Sequence, residues 1–202
     1  MARIQPILPK DFTPELEEAV AAFMQTMRNR MATAGSSPAL ERQATVAART
    51  LSQGMVAGPA NAWMRSPAYY RSMSQDVAWS IPRDVQEVVT LAVGWHWQAA
   101  YEFWAHAEIA EEAGVPVAAI EAIRRGETPV LGRPDLQAAY DVTSEFLATK
   151  RVSDETYARA VAALGEKGLV EVIGIAGMYN TVSMTLAVFE IGVPPGEPYP
   201  FL

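Results

Sequence analysis

From Val88 to Phe103 apolar residues return every three or four positions, at Val88, Leu91, Ala92, Trp95, Ala99 and Phe103. That period matches one face of a helix and commits the middle of the chain to a long, largely buried helix or two abutting ones. No stretch elsewhere alternates strictly enough for a half-buried strand, so the chain reads as all-α, a helical bundle. Three helix starts in the amino-terminal third pair a hydroxyl residue with a following proline: Thr13-Pro14, Ser37-Pro38 and Ser66-Pro67. The hydroxyl can cap the first free amides, and proline stands where no amide is needed. The spacing predicts helices over 14–33, with Leu16, Val20, Phe23, Met24 and Met27 on one face, over 38–53, and briefly after Pro67. A turn-rich stretch is expected over 54–61. Ile81-Pro82 marks the start of the central segment, Ala113-Gly114 ends a helix, Pro116 opens the next as far as Arg125-Gly126, and 127–133 reads as a loop. Further helices are expected over 134–149, 154–164 with Ser153 as cap, and 168–190. The tail, GVPPGEPYPFL, is too rich in proline for a helix and is expected to lie extended over the surface.

A chain of 202 residues, 50% of them hydrophobic, can bury one sizeable core, and no Gly/Ser-rich or charge-run linker divides it. One domain over 1–202 is expected, with 1–53 as an amino-terminal helical extension and 54–202 as the main region. A net charge of -7, with 16 Lys and Arg scattered thinly, argues against a nucleic-acid or anionic-membrane partner. The start, MARIQPILPKDF, lacks a signal-peptide core, and no run of about 18 uninterrupted apolar residues follows, so a cytoplasmic location is expected. Zero cysteines exclude disulfides, thiolate metal sites and thiol redox cycles. With Met, Trp and Leu on several faces and only 19% charged residues, apolar surface should remain after the core is filled, which points to a homo-oligomer.

Chemistry concentrates in 87–106, EVVTLAVGWHWQAAYEFWAH, which holds both histidines and three of the five tryptophans. Glu102 and His106 stand one helical turn apart on one face. An imidazole and a carboxylate set among aromatic rings are short of water, the setting that suits general acid or base work. His106 is read as the acid that protonates a carbanion or enolate, with Glu102 orienting it or trading protons with it. His96 is rotated from His106 by about 80° on an ideal helix and reaches the same pocket only if the helix breaks. Trp95, Trp97, Tyr101 and Trp104 cannot all face one way, yet together they favour an aromatic-walled pocket for a small, mainly apolar substrate. Glu102, His106 and His96 are also a possible ligand set for a divalent ion, but they do not share one ideal face, and no metal is expected. On one straight helix Glu87 would stand about 28 Å from His106. Either the segment breaks between Gly94 and Gln98, or Glu87 pairs with an arginine or caps another helix.

Residues 87–95, EVVTLAVGW, also match residues 171–179, EVIGIAGMY, in type and spacing. Such an internal pseudo-repeat predicts two similar helical units about a pseudo-twofold axis. It aligns Glu87 with Glu171 and Trp95 with Tyr179, which makes Tyr179 a candidate pocket wall. Glu102 then aligns with Leu186 and His106 with Glu190, so only the first copy keeps the acid and base pair, and the second is expected to be architectural.

The segment TLAVGWHWQAAYEFWAHAEIAEEAGV, with a Glu opening the helix, an HW pair, a YE-aromatic turn and a His four residues after that Glu, resembles the carboxymuconolactone decarboxylase family, which includes the alkylhydroperoxidase-like branch. The likeness runs over about 54–201 and takes in RVSDETYARAVAALGEKGLVEVIGIAGMYNTVSMTLAVFEIGVPPG. In the peroxidase branch, as the resemblance implies, a Glu is followed by Cys, His, Cys and His at positions that fall here on Ala99, Tyr101, Glu102 and His106. Glu87 and His106 are kept, and both cysteines are lost, so peroxide reduction by a cysteine pair is impossible. The resemblance implies a helical, commonly oligomeric protein with a cofactor-free site working by proton transfer. It also implies a break that brings Glu87 back over the second helix as part of a proton relay. The expected activity is that of a cofactor-independent lyase on a small, partly apolar carbonyl, lactone or carboxylic acid compound. No arginine lies between Glu87 and His106 to hold a carboxylate, Arg65, Arg71 and Arg83 being nearest in sequence. Hydratase, isomerase or hydrolase chemistry by the same pair, or a non-catalytic oligomer binding a small apolar ligand, are the alternatives.

Overall fold

The computed structural model describes residues 3–5, 7–33, 37–52, 58–73 and 77–201, and among them every long regular element is a helix, with no strand. After a single 3-10 turn at Pro9–Asp11 come α1 (Pro14–Thr33), α2 (Pro38–Ser52), α3 (Gly58–Trp63) and α4 (Pro67–Met73). They are followed by α5 (Arg83–His96), α6 (Ala100–Ala113), α7 (Val117–Arg124), α8 (Pro134–Thr149) and α9 (Asp154–Val188). The hydroxyl caps form at three starts: Leu16 N donates to Thr13 Oγ1, Leu40 N to Ser37 Oγ and Thr156 N to Ser153 Oγ. Gly114, at φ 104°, closes α6, and the Val115 amide reaches back to Ala110 O, a geometry that glycine adopts without strain.

Two elements differ from the sequence pattern. Of the expected turn over 54–61, residues 54–57 lie outside the described ones, as does the Met27 side chain, but Gly58–Asn61 belong to a helix. Gly58 takes a positive φ of 64° and Pro59 follows in the first turn, so the pair that reads as a turn starts α3 instead. The expected helices over 154–164 and 168–190 abut in the single run of α9, broken only by a non-helical Gly165 (φ 69°, ψ 168°).

α5 is the axis of the molecule. Val85, Val88, Val89, Leu91 and Val93 are fully buried, because α6, α8 and α9 pack around it and leave no solvent face along its middle. A second, smaller apolar cluster joins Ile7, Leu16, Ala19, Val20, Ala60, Met64 and Tyr70, so α3 and α4 bury their apolar side chains with α1. This layer is tied to the main body at both ends. Trp63 Nε1 donates to Thr185 Oγ1 (2.9 Å), Arg3 pairs with Glu190 (2.6 Å), and Glu112 accepts the Ala39 amide (2.7 Å).

The tail forms no helix, but it does not simply lie extended over the surface: the Glu197 amide bonds Pro194 O (3.1 Å) in a turn, with Gly196 at φ 87°. Phe201 is buried with its ring 5.1 Å from Phe103, Arg124 Nη1 donates to Pro200 O (3.0 Å), and Glu197 receives Arg42 and the Trp104 indole. Proline fixes the backbone but leaves the last aromatic free to seek burial, and nothing in the tail's own pattern marks that outcome.

Candidate functional site

The site is made by a break in the central segment. α5 stops at His96, Gln98 takes a positive φ of 52°, and the Ala99 amide bonds Gly94 O (2.8 Å) before α6 begins at Ala100. Gly94 permits the close return. A Cβ there would stand 3.3 Å from Glu102 Oε1 and 3.6 Å from the Phe103 amide, so the missing side chain is the space into which α6 folds back. The two halves then run side by side and pack against each other.

Folding back brings Glu87 and His106 together. His106 Nδ1 lies 2.7 Å from Glu87 Oε2, and Arg83, one turn before Glu87 on α5, reaches Glu87 Oε1 at 2.7 Å. Glu87 is buried and His106 keeps a 16% exposed side chain. With a carboxylate as its partner, Nδ1 is the protonated ring nitrogen and donates, so the free lone pair of a neutral His106 is on Nε2. Tyr179 of α9 closes one side of the imidazole, edge to face at 4.9 Å between ring centres. The result is a three-member line, guanidinium to carboxylate to imidazole, ending in a nitrogen able to take or give a proton.

Glu102 has a different environment from the one its spacing implies. It does not pair with His106; it accepts a hydrogen bond from Ser183 Oγ at 3.0 Å, and its Oε1 is buried without a partner. Burial pushes its carboxyl well above the usual 4.5, with the Ser183 hydroxyl pulling weakly the other way. A residue one turn from His106 is thus a buried carboxyl pushed toward its neutral form, while Glu87, nineteen positions away in sequence, takes the orienting place. The physical reason is that α5 and α6 are antiparallel neighbours, so position along the segment no longer measures distance.

The aromatic candidates divide. Trp97 Nε1 donates to Asn180 Oδ1 (2.6 Å), one residue from Tyr179, and brings an indole to the edge of the site. Trp95 packs over Gly126, where a Cβ would overlap its ring, and serves the core. Trp104 is turned to the tail through Glu197, and its ring lies 5.5 Å from that of Tyr101. Tyr101 covers Gly58, and burial pushes its phenol up to about 12. His96 is exposed at the end of α5 and stacks edgewise on Trp97; burial of part of its ring, then the charge of Lys150, lowers its pKa. The three side chains of the possible metal set therefore separate, and among the described residues no three His, Asp or Glu side chains gather as a metal-binding group.

Neither a family model, nor a curated protein, nor a solved structure matches the chain. Among the described residues, no helix is long and apolar enough to cross a membrane. The nine-residue likeness between 87–95 and 171–179 falls on α5 and α9, which pack together, but the paths then diverge. α5 ends at His96, whereas α9 continues to Val188. Glu171 also has another task. It accepts from the Ser80 and Ile81 amides at 2.8 and 3.0 Å and holds the approach to α5.

Ser183 was not singled out by sequence, and Arg83 was noted only as one of the nearest arginines, not as the named partner of Glu87. Arg83 stands four residues before Glu87, a helical pairing distance that could have flagged it. Ser183 is a lone hydroxyl on the buried face of α9, and that polarity in an apolar run was the available signal.

Proposed function

We propose that this protein is a cofactor-independent acid/base enzyme, a decarboxylase-like lyase acting on a small, partly apolar carbonyl, lactone or carboxylic acid compound. The observation that carries the reading is the line Arg83–Glu87–His106, with both contacts at 2.7 Å, the carboxylate buried and the imidazole still reachable. In the forward step the substrate carboxylate leaves as carbon dioxide, its bonding electrons pass into the adjoining carbonyl as an enolate, and Nε2–H of His106 delivers the proton to carbon. Glu87 fixes the tautomer and balances the imidazolium. Arg83 answers the need for a cation that 87–106 itself does not meet. Its side chain is 54% exposed, so its guanidinium can meet a substrate carboxylate. Tyr179 and Trp97 supply an apolar wall.

The resemblance to the carboxymuconolactone decarboxylase family, in the branch without redox cysteines, supports the same reading, since Glu87 and His106 are the two positions it keeps and they are the two in contact. On this reading the fold is of that family's helical type, the internal pseudo-repeat is its architectural remnant, and the enzyme works in the cytoplasm as a homo-oligomer. The test is a panel of small 3-oxo acids and lactone acids, run in deuterium oxide. Carbon dioxide release, or deuterium entering the carbon next to the carbonyl, at a rate that collapses in His106→Ala supports the proposal. Release or exchange that is unchanged in that variant removes His106 from the chemistry.

A further inference from the structure

α9 is far longer than its burial requires, and its two faces are unlike. Val172, Ile175, Ser183 and Leu186 face the core, with Tyr179 between them against His106. Diametrically opposite, at steps of three and four, come Val170, Ile173, Gly177, Thr181, Met184 and Val188. The four large members are 70%, 45%, 52% and 57% exposed. A seam of this kind is unusual on a helix whose other face is already buried, because it leaves an apolar stripe about 27 Å long in water at 1.5 Å per residue.

The stripe is symmetric about its own middle. Reversed end for end around residue 179, Val170 meets Val188, Gly177 meets Thr181, and Ile173 comes within one position of Met184, so large side chains fall beside large ones and the two small residues meet at the centre. An antiparallel helix pair from two copies has that arrangement, and its twofold axis makes every contact occur twice. Charge agrees with the pairing. Lys167, 76% exposed at the start of the stripe, comes beside the position of Glu190 in the second copy. Gly177 has no atom near the place of its absent Cβ, which leaves room for the partner helix to approach at the crossing point.

We infer that the outer face of α9, from Val170 to Val188, is a self-complementary antiparallel seam for a second copy of this chain. The inference rests on the homo-oligomer in the proposed function and names its interface; it is independent of the chemistry assigned to His106. Because the opposite face of the same stretch carries Tyr179 and Ser183, the dimer seam lies directly behind the site.

The absence of cysteine from the chain allows the register to be read directly. Val170→Cys and Val188→Cys, made separately and mixed under mild oxidation, are expected to give the mixed cross-link, whereas Val170→Cys alone, with its thiols about 27 Å apart across the seam, is expected to give little. The reverse pattern overturns the antiparallel register. By light scattering the native chain is expected at twice its 22.0 kDa mass and Ile173→Glu/Met184→Glu at 22.0 kDa. A native 22.0 kDa particle overturns self-association altogether, and one that binds neutral lipid vesicles assigns the stripe to a lipid surface. A double variant that still associates, with its helical circular dichroism intact, leaves the oligomer standing and overturns this seam alone.

Discussion

Glu102→Gln tests the buried acid without changing its shape. Glu102 is 2% exposed, Oε1 faces the Cα of Gly94 with no partner, and one hydroxyl, from Ser183, is all that favours its charged form. Burial therefore holds its folded pKa above the ordinary 4.5, so the fold binds the proton more tightly than the unfolded chain does. The stability this contributes is fully present below pH 4.5 and is lost as pH rises toward the folded value. Within that window each pH unit removes about 1.4 kcal/mol. Glutamine does not titrate, keeps an acceptor for Ser183, and leaves its amide where Oε1 now lies. Melts of the native protein and Glu102→Gln at half-unit steps from pH 5 to pH 8 should show the variant gaining on the native protein as pH rises. A difference that stays flat across this range would mean that Glu102 is ionised in the fold, and the argument for a neutral acid fails.

Other expectations follow from the same geometry. Glu87→Gln should lower turnover more than Glu102→Gln does, because it removes the partner of both Arg83 and His106; equal effects would return the orienting role to Glu102. Gly126→Ala should destabilise by about 1–3 kcal/mol in urea, since Gly126 sits at φ 72° and a Cβ would run into the Trp95 ring. Activity should survive both excess chelator and thiol-alkylating reagent, and loss on chelation that zinc or manganese restores would favour a metal mechanism.

How much was legible depended on range. Helix starts were readable because a cap acts within four residues, as Thr13, Ser37 and Ser153 do. Gly58-Pro59 misled because a glycine–proline pair serves a turn and a helix start equally well, and the α1 and α4 side chains around it decide. At the site, spacing identified His106 and Glu102 but could not rank Glu102 against Glu87. That choice rests on the break at Gln98, which converts two positions far apart on one axis into neighbours on adjacent helices. His96 and Trp104 were drawn in by proximity in sequence, and the same break turned them outward or toward the tail. Phe201 was invisible, since its burial depends on a gap beside Phe103 that no local pattern encodes.

The central claim is that His106 moves a proton in the rate-limiting step from a ring held by Glu87. The measurement is turnover of His106→Ala on the substrate that the panel yields, followed across pH beside a thermal melt. A fall of about 10²- to 10⁴-fold is predicted, with substrate affinity little changed and the melt close to native. A folded His106→Ala protein that turns over at the native rate with the same pH profile would contradict the account.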